Sequence, residues 1–240
     1  MKNIITVAAL LAAGTAFANA EQTKYWWQKE CTDLSSVDSW KTDAGVSVPS
    51  LTDSDSICAI GGNGGTAEVT SDVEFGTLFF SEWANLSFEF SSVATVSASS
   101  IQREGKMGIT IKIKDEALSA LNSTGELVLF SSNNAFEGMD TLTRYWSDGS
   151  NFISAWIWDD ATSRYNGDLV VAGTGTDDGI YSTVSAARTA IAGGSRPYAF
   201  VLNENQLSIV SSIPEPSAFG LLAGAGALAL VAARRRRRKA

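Results

Sequence analysis

Hydrophobic and polar residues alternate along much of the chain, which is the pattern of a β-strand with one buried face. In residues 86–90, Leu and Phe alternate with Ser and Glu, and in residues 109–113, Ile alternates with Thr and Lys. Further strands are predicted at residues 57–60, 67–70, 77–80, 93–98, 127–130, 154–158, 169–171, 198–202 and 207–210.

The predicted strands follow one another at short intervals in the first half of the chain. From residue 57 to residue 113 they recur about every 10 residues and are separated by Gly, Asn, Asp and Ser, which favour turns. This spacing is typical of β-sandwiches and of short β-solenoids. The sequence therefore predicts an all-β domain, either a single β-sandwich or a short β-solenoid.

Helix is predicted in two short segments. The first covers residues 116–121 with Asp115 as its N-cap, and the second covers residues 183–192 and ends at Gly193 and Gly194. The polar residues 203–206 lie between the last two predicted strands and predict a final hairpin.

The first 20 residues have the organisation of a signal peptide. Lys2 provides a basic start, residues 4–13 are apolar, and Ala18 and Ala20 form the small-x-small pattern of a signal peptidase site. We therefore expect the mature chain to begin near Glu21 and to be exported.

The other end of the chain combines an apolar run with a basic cluster. Residues 218–233 are apolar or small and span about 24 Å as a helix, against a hydrocarbon core of about 30 Å. Because cations cross a bilayer at high cost, the basic cluster is predicted to stay in the cytoplasm while the preceding domain lies outside. The cluster consists of Arg234, Arg235, Arg236, Arg237, Arg238 and Lys239.

A short proline motif precedes the apolar run. Pro214 and Pro216 flank Glu215, and Ser217 follows; because proline disfavours helix in the residue before it, this stretch is predicted to be extended and accessible. The motif, the hydrophobic segment and the arginine cluster together resemble the PEP-CTERM sorting domain of exported bacterial proteins. The resemblance implies recognition by an exosortase, a membrane enzyme that cuts near the motif and delivers the protein to the cell surface or the extracellular matrix. A tail anchor that is never cut is the alternative.

The predicted organisation is a signal peptide at 1–20, an exported all-β domain at 21–212 and a sorting tail at 213–240. The tail comprises the motif at 213–217, a transmembrane segment at 218–233 and a basic cytoplasmic end at 234–240. We expect the protein to be anchored transiently in the inner membrane and then to reach the surface or the extracellular space. Its expected partners are signal peptidase, exosortase and the membrane, and extracellular polysaccharide is a further candidate.

Acidic residues dominate the exported part of the chain. Between the signal peptide and the basic end, 11 basic residues stand against 26 acidic ones, a net charge of about −15. Such a surface repels polyanions, so nucleic acid is not an expected partner.

Cys31 and Cys58 are the two cysteines of the chain. Export places them in an oxidising compartment, which predicts that they form one disulfide. Two free thiols, or half of a metal site, are the alternatives.

The chain contains no histidine, which excludes several kinds of catalysis. Ser–His–Asp and Cys–His mechanisms and two-His zinc sites all need one within the chain. Carboxylate chemistry stays open, since glycoside hydrolysis needs two carboxyl groups about 5–10 Å apart. Asp159 and Asp160, close to Trp156 and Trp158, are the candidate pair, but a turn after a strand explains them better.

No cofactor is predicted, with calcium as the one cofactor left open. The pair Asp53 and Asp55 and the pair Asp177 and Asp178 carry suitable oxygen ligands, but the loop spacing of an EF-hand is absent.

A weaker resemblance covers about residues 30–130. It rests on Trp40, on Pro49 and on three segments at 53–57, 64–69 and 76–80 that are similar to the opening rungs of autotransporter-type β-repeat passengers. The resemblance implies a parallel β-solenoid, and the number of rungs is too small for a long one.

The tryptophans allow two interpretations. Indoles fill the cores of β-domains, which we expect for most of them, whereas indoles exposed along one sheet face or groove bind sugars. The seven are Trp26, Trp27, Trp40, Trp83, Trp146, Trp156 and Trp158.

Together these patterns predict a non-enzymatic structural protein of the cell surface or the extracellular matrix. A carbohydrate-binding module is the first alternative and requires coplanar exposed tryptophans. A glycoside hydrolase is the second and requires a cleft with close carboxylates.

Overall fold

The computed structural model describes residues 22–62, 64–81, 84–104, 107–134, 152–172, 180–194 and 197–212. The predicted signal peptide and the predicted sorting tail lie outside these residues. None of the helices within the described ranges has the length and hydrophobicity of a membrane-spanning segment.

Strands make up most of the described chain. They are β1 Thr23–Trp27, β2 Trp40–Lys41, β3 Ser56–Ile60, β4 Thr66–Val69, β5 Val73–Phe80, β6 Ala84–Phe90, β7 Val96–Arg103, β8 Met107–Ile113, β9 Glu126–Ser132, β10 Phe152–Asp159, β11 Arg164–Ala172, β12 Ile180–Tyr181, β13 Tyr198–Asn203 and β14 Gln206–Ser211. Two helices, α1 Asp115–Thr124 and α2 Val184–Gly193, and a 3₁₀ turn at Val37–Ser39 accompany them.

The strands form two sheets that the chain visits in alternation. The first sheet has the order β12-β13-β14-β9-β7-β5-β3-β1-β2, and the second has the order β11-β10-β8-β6-β4. From β3 to β10, each strand pairs in parallel with the strand two positions along the chain. This is the topology of a short parallel β-solenoid and not of an antiparallel sandwich, so the structure selects one of the two predicted architectures.

The register gives the length of each coil. In the first sheet Ile57 pairs with Thr77 and Thr77 with Ser100, which makes coils of 20 and 23 residues. The predicted spacing of about 10 residues is therefore half a coil, because consecutive strands belong to opposite sheets. Helix α1 lengthens the next coil, so that Val96 pairs with Phe130.

The hydrophobic core lies between the two sheets. The ring of Phe88 in β6 is in edge contact with Phe80 of β5 and with Phe130 of β9, at centroid distances of 6.4 and 5.0 Å. Trp40 is fully buried and contacts both Trp27 and Phe75 at 5.3 Å. Inward residues of both sheets thus belong to one cluster. Because burial of apolar surface is the dominant favourable term in folding, this cluster is the main source of stability.

Antiparallel pairing occurs at both ends of the solenoid. At the beginning, β2 pairs with β1, and the backbone of Glu68 in edge strand β4 donates to the carbonyl of Thr32 at 2.7 Å. At the other end, β11 pairs with β10 and β14 with β9. Each sheet still ends in edge strands, which are β2 and β12 in the first sheet and β4 and β11 in the second.

Most predicted elements are confirmed, with a few corrections at their boundaries. The strand predicted at 93–98 begins only at Val96, and Val93 is 65% exposed in the preceding turn. Asp115 is not the N-cap of α1: Lys114 is, and Asp115 is the first helical residue with a left-handed φ of 52°. Helix α2 has Thr183 as its N-cap, with the side chain accepting from Ala186.

The final hairpin is also confirmed, since β13 and β14 pair through Asn203 and Gln206. Three strands were not predicted: β1, β2 and β12. Two of them are only two residues long, and β1 has the sequence TKYWW, which does not alternate between apolar and polar residues.

Candidate functional site

The outward surface of the second sheet carries the best candidate site in the described part of the chain. Ile153, Ala155 and Ile157 of β10 are buried in the core, so the alternating Trp156 and Trp158 point outward. We call the outward side chains around these two indoles the aromatic face. It consists of Glu68, Glu89, Lys112, Lys114, Trp156, Trp158 and Tyr165.

Cross-strand pairing brings these residues together. Glu68 is paired with Glu89, Glu89 with Lys112, and Lys112 with Trp156. Because neighbouring strands are about 4.8 Å apart, this row of four residues crosses the sheet over about 14 Å. Tyr165 of β11 is paired with Trp158 at the same end of the sheet.

The indole of Trp156 lies flat on the backbone of Gly167. A Cβ placed on Gly167 would lie 3.5 Å from both Cε2 and Cζ2 of the indole and 3.7 Å from Cδ2, so Gly167 lies over the ring face and not beside its edge. The Nε1 of Trp156 donates to the hydroxyl of Ser154 at 3.3 Å. Trp156 is 39% exposed, so the ring presents a supported, partly open surface to solvent.

Trp158 is half-buried, and both its ring and its indole nitrogen have a partner. Its ring meets that of Tyr165 edge to face, with centroids 5.1 Å apart and an interplanar angle of 76°. Its Nε1 donates to the carboxylate of Asp160 at 2.9 Å. Trp158 therefore packs against Tyr165.

Glu89 is the centre of the polar part of the aromatic face. Its carboxylate is 2.6 Å from the ammonium group of Lys114, and the side chain is 15% exposed. Burial by itself raises the pKa of Glu89, but the hydrogen bond from Lys114, the nearby hydroxyl of Tyr165 and the charges of Lys114 and Lys112 outweigh it, so the pKa lies below the ordinary 4.5. Contact with Glu89 in turn raises the pKa of Lys114, and both groups are charged at neutral pH.

Tyr165 covers part of this ion pair. Its hydroxyl is buried against the Glu89 carboxylate, outside ordinary hydrogen-bond geometry, and the ammonium of Lys112 lies 5.7 Å from its ring centroid. Burial and the negative charge of Glu89 raise the pKa of Tyr165, so the phenol is neutral at physiological pH.

Glu89 does not have the properties of the general acid of a glycosidase. Glu68 and Glu89 are neighbouring carboxylates, but a glycosidase acid needs a raised pKa, whereas that of Glu89 is lowered and its charge is neutralised by lysine. The aromatic face offers a flat indole, fixed charges and hydrogen-bonding groups.

The predicted carboxylate pair Asp159 and Asp160 forms a turn between β10 and β11. Asp159 accepts hydrogen bonds from the backbone of Ala161, the hydroxyl of Thr162 and the amide of Asn166, at 2.9, 2.8 and 3.3 Å. The bonds from Thr162 and Ala161 are the main reason that the pKa of Asp159 is lowered. The oxygens of Asp159 thus accept hydrogen bonds within the turn. This agrees with the prediction that the two residues belong to a turn after a strand.

A shallow polar groove crosses the outward surface of the first sheet. Glu74 is paired with Ser97, Ser97 with Ser131, and Ser131 with Gln206. The groove has a volume of about 590 Å³ and also includes Asp72, whose carboxylate accepts from the backbone of Thr95 at 2.8 Å. None of the described residues that line it is aromatic, so these residues offer hydrogen bonds without a stacking surface.

Among the described residues, no group of three or more acidic or cysteine side chains is placed to hold a metal ion. The carboxylate of Asp53 instead accepts from the backbone of Asp55 and from the hydroxyl of Ser56, both at 3.1 Å. The second proposed calcium pair, Asp177 and Asp178, lies outside the described residues.

The tryptophans divide between the two predicted roles. Trp27 and Trp40 are core residues, Trp26 and Trp158 are half-buried, and Trp156 is exposed. Trp83 and Trp146 lie outside the described residues.

Both cysteines are free thiols in the structure, so the predicted disulfide is not formed there. Cys58 is fully buried in β3, and Cys31 is partly buried and packs against the same core cluster. Burial raises the pKa of Cys58 to about 12. The disulfide in the exported protein stays a prediction.

Sequence reasoning found Trp156 and Trp158 but missed Glu89, Lys112, Lys114 and Tyr165 as their neighbours. Glu89 and Tyr165 are 76 positions apart in sequence. The one available signal was the outward, polar position of Glu89 and Lys112 in two strands predicted by alternation.

The described chain ends at Ser212, next to the predicted sorting tail. The hydroxyl of Ser211 donates to the carbonyl of Leu121 at 3.0 Å, and its backbone N–H donates to the carbonyl of Gly125 at 3.1 Å. The predicted site residues at Ala18 and Ala20, the motif at 214–217 and the basic cluster at 234–239 lie outside the described residues.

Comparison with known proteins identifies the tail. Residues 212–238 match the family model of the PEP-CTERM protein-sorting motif. No curated protein and no solved structure matches the chain significantly. The predicted sorting domain is therefore confirmed, whereas the resemblance to autotransporter-type passengers stays a prediction.

Proposed function

We propose that this PEP-CTERM protein is a non-enzymatic structural component of the cell surface or the extracellular matrix, delivered there by exosortase. The sorting motif itself implies export and a membrane-anchored C-terminal tail. The proposal adds the final location and the structural role of the domain that precedes the tail.

The observation that carries the proposal is the direct junction between the folded domain and the sorting motif. Strand β14 ends at Ser211, which donates hydrogen bonds to Leu121 of α1 and to Gly125 directly after α1, and the motif match begins at residue 212. The β-solenoid is thus attached to the tail without a spacer or a second domain between them. We infer that sorting delivers this β-solenoid domain.

The architecture of the domain supports a structural role. One main core cluster contains inward residues of both sheets, and the charged centre of the aromatic face is neutralised by an ion pair. An acidic β-domain remains soluble at high density because like charges oppose aggregation.

Cell fractionation combined with intact mass spectrometry tests the sorting step. We expect the wild-type protein on the outer surface or in the medium, without Arg234–Arg238. In the variant Glu215→Ala we expect a precursor that keeps the arginines and stays in the inner membrane. A matched control is Glu204→Ala, which changes an exposed carboxylate in the turn between β13 and β14.

Two results would contradict the proposal. Surface protein that still carries Arg234–Arg238 would show a plain anchor. Normal delivery of the Glu215→Ala variant would show that exosortase does not read this motif.

The structural role has a separate test. Deleting the gene should weaken the cohesion of the surface layer or matrix, and a copy with wild-type sorting should restore it. Unchanged cohesion in the deletion strain would contradict a structural role. It would not contradict the proposal that exosortase sorts the protein.

A further inference from the structure

We propose that the aromatic face binds a neutral glycan, with one pyranose ring stacked on the indole of Trp156. This inference goes beyond the structural role and does not depend on sorting, because binding is a property of the folded domain.

Trp156 has the geometry of a stacking platform. One face of its indole rests on Gly167, where the absence of a side chain allows three ring atoms to lie within 3.7 Å of the Cβ position. The bond from Nε1 to Ser154 fixes the rotation of the ring. Of the large hydrophobic side chains exposed in the described ranges, Trp156 is the one aromatic residue, the others being valines. A rigid indole with an open face loses little conformational entropy when a flat, apolar sugar face covers it.

The surroundings of Trp156 supply hydrogen bonds at the spacing of the strands. Lys112 is its direct neighbour in the next strand, and Glu89 and Glu68 follow in the same row. A second row beside it consists of hydroxyl-bearing residues, in which Ser154 is paired with Thr110. A sugar bound on the indole therefore meets polar groups on the side of β8, which is the combination of apolar platform and oriented polar groups expected of a ligand site.

Charge favours a neutral glycan over an acidic one. The two lysines of the aromatic face are engaged with Glu89 and Tyr165, and the face also contains the carboxylate of Glu68. The exported part of the chain has a net charge of about −15, which repels a polyanionic chain at moderate salt. A neutral, β-linked chain has flat ring faces and no such repulsion.

The groove on the first sheet is a weaker candidate for the same ligand. Its row from Glu74 to Gln206 is polar throughout, and the residues that line it include no ring on which a sugar could stack. Sugar hydroxyls bound there would replace water by similar hydrogen bonds, with little net gain.

Titration of the purified full-length chain with soluble oligosaccharides tests the proposal. The chain is kept in a zwitterionic detergent without a sugar headgroup, and the probes are cellohexaose, mannohexaose and, as the acidic probe, hexagalacturonate. Calorimetry reports affinity, and tryptophan fluorescence reports contact with an indole. We expect a neutral hexaose to bind more tightly than the acidic one.

Variants of Trp156 locate the site. We expect Trp156→Ala to weaken binding at least about tenfold and Trp156→Phe to weaken it less, because a smaller ring keeps part of the stacking surface. Val93→Ala, which changes an exposed residue in a turn of the solenoid, should bind like the wild type. Circular dichroism verifies that each variant is folded.

Three outcomes would overturn the proposal. The first is the absence of binding of either neutral hexaose at millimolar concentration. The second is wild-type affinity in folded Trp156→Ala. The third is preferential binding of hexagalacturonate, which would indicate a site built for anions. None of these results bears on delivery by the sorting tail.

Discussion

Gly76 in strand β5 lies against the backbone carbonyl of Asp53, so closely that a Cβ on Gly76 would be 2.5 Å from this oxygen. The N–H of Gly76 donates to the carbonyl of Leu51 at 2.7 Å, which holds the loop before β3 against the middle of β5. Glycine at this position is what allows the backbones of the loop and of β5 to approach each other.

We predict that Gly76→Ala destabilises the domain by about 1–3 kcal/mol, because the atoms that a methyl group would meet belong to backbone and cannot rotate away. Urea unfolding followed by circular dichroism measures the change. Gly193→Ala is the matched control, since no atom lies within 4 Å of the Cβ position there, and its effect should stay within about 0.5 kcal/mol. Equal stability of the two variants would show that the loop moves freely away from β5.

The ion pair between Glu89 and Lys114 makes a pH-dependent contribution to stability. Because the pKa of Glu89 is lowered in the folded protein, its carboxylate stabilises the fold above the ordinary pKa of 4.5, and this contribution is lost as the pH falls through the lower, folded value. We expect Glu89→Gln to destabilise the protein at neutral pH by about 0.5–1.5 kcal/mol, a modest value because Lys114 is partly exposed to solvent.

Urea unfolding of both proteins from neutral pH down to about pH 3 measures this difference, which should shrink as Glu89 of the wild type becomes protonated. Glu104→Gln removes an exposed carboxylate at the end of β7 and is the control. A difference between wild type and Glu89→Gln that does not depend on pH would show that the charge of Glu89 contributes nothing to folding.

The strands of this fold could be predicted because their burial depends on local alternation. In β6 and β8, every second residue is buried, as the sequence of residues 86–90 and 109–113 indicates. The choice between solenoid and sandwich could not be made in the same way. It depends on which strands pair, and Thr77 pairs with Ile57 and Ser100 on opposite sides, neither of which is adjacent in sequence.

The candidate site was predictable only in part for the same reason. Trp156 and Trp158 are two positions apart in one strand, so their common outward direction follows from the pleat. The neighbours of Glu89 come from three strands, and the contact with Tyr165 depends on β11 folding back on β10 with an irregular register. Spacing along the chain contains no information about such contacts.

The two cysteines should differ in reactivity when both are reduced. Burial raises the pKa of Cys58 to about 12, so very little of its thiolate forms at pH 8, and the side chain is inaccessible. We expect a thiol reagent to modify one residue, Cys31, in the folded reduced protein and both residues after unfolding in urea. The variant Cys31→Ser should leave no fast-reacting thiol.

The same reagent tests the disulfide in protein recovered from the cell exterior. If Cys31 and Cys58 are bonded there, neither reacts before reduction, even in urea, and the intact mass is about 2 Da lower than that of the reduced protein. Reaction of both thiols in urea without reductant would show that the cysteines stay free after export.

Asp159 and Asp160, the candidate carboxylate pair, differ in the hydrogen bonds that they accept. Asp159 anchors the turn between β10 and β11 through Ala161, Thr162 and Asn166, whereas Asp160 accepts one bond, from the indole of Trp158. We therefore expect Asp159→Ala to lower the urea midpoint more than Asp160→Ala does. Asp159→Asn is the closer control, because an amide oxygen can still accept from the backbone of Ala161 and should restore part of the midpoint.

If the two carboxylates instead act on a glycan, both alanine variants would remain as stable as the wild type and would lose the release of reducing ends from a neutral oligosaccharide. That pattern, measured with a reducing-sugar assay beside the unfolding curves, would show that Asp159 and Asp160 form a catalytic pair and do not serve only to stabilise the turn.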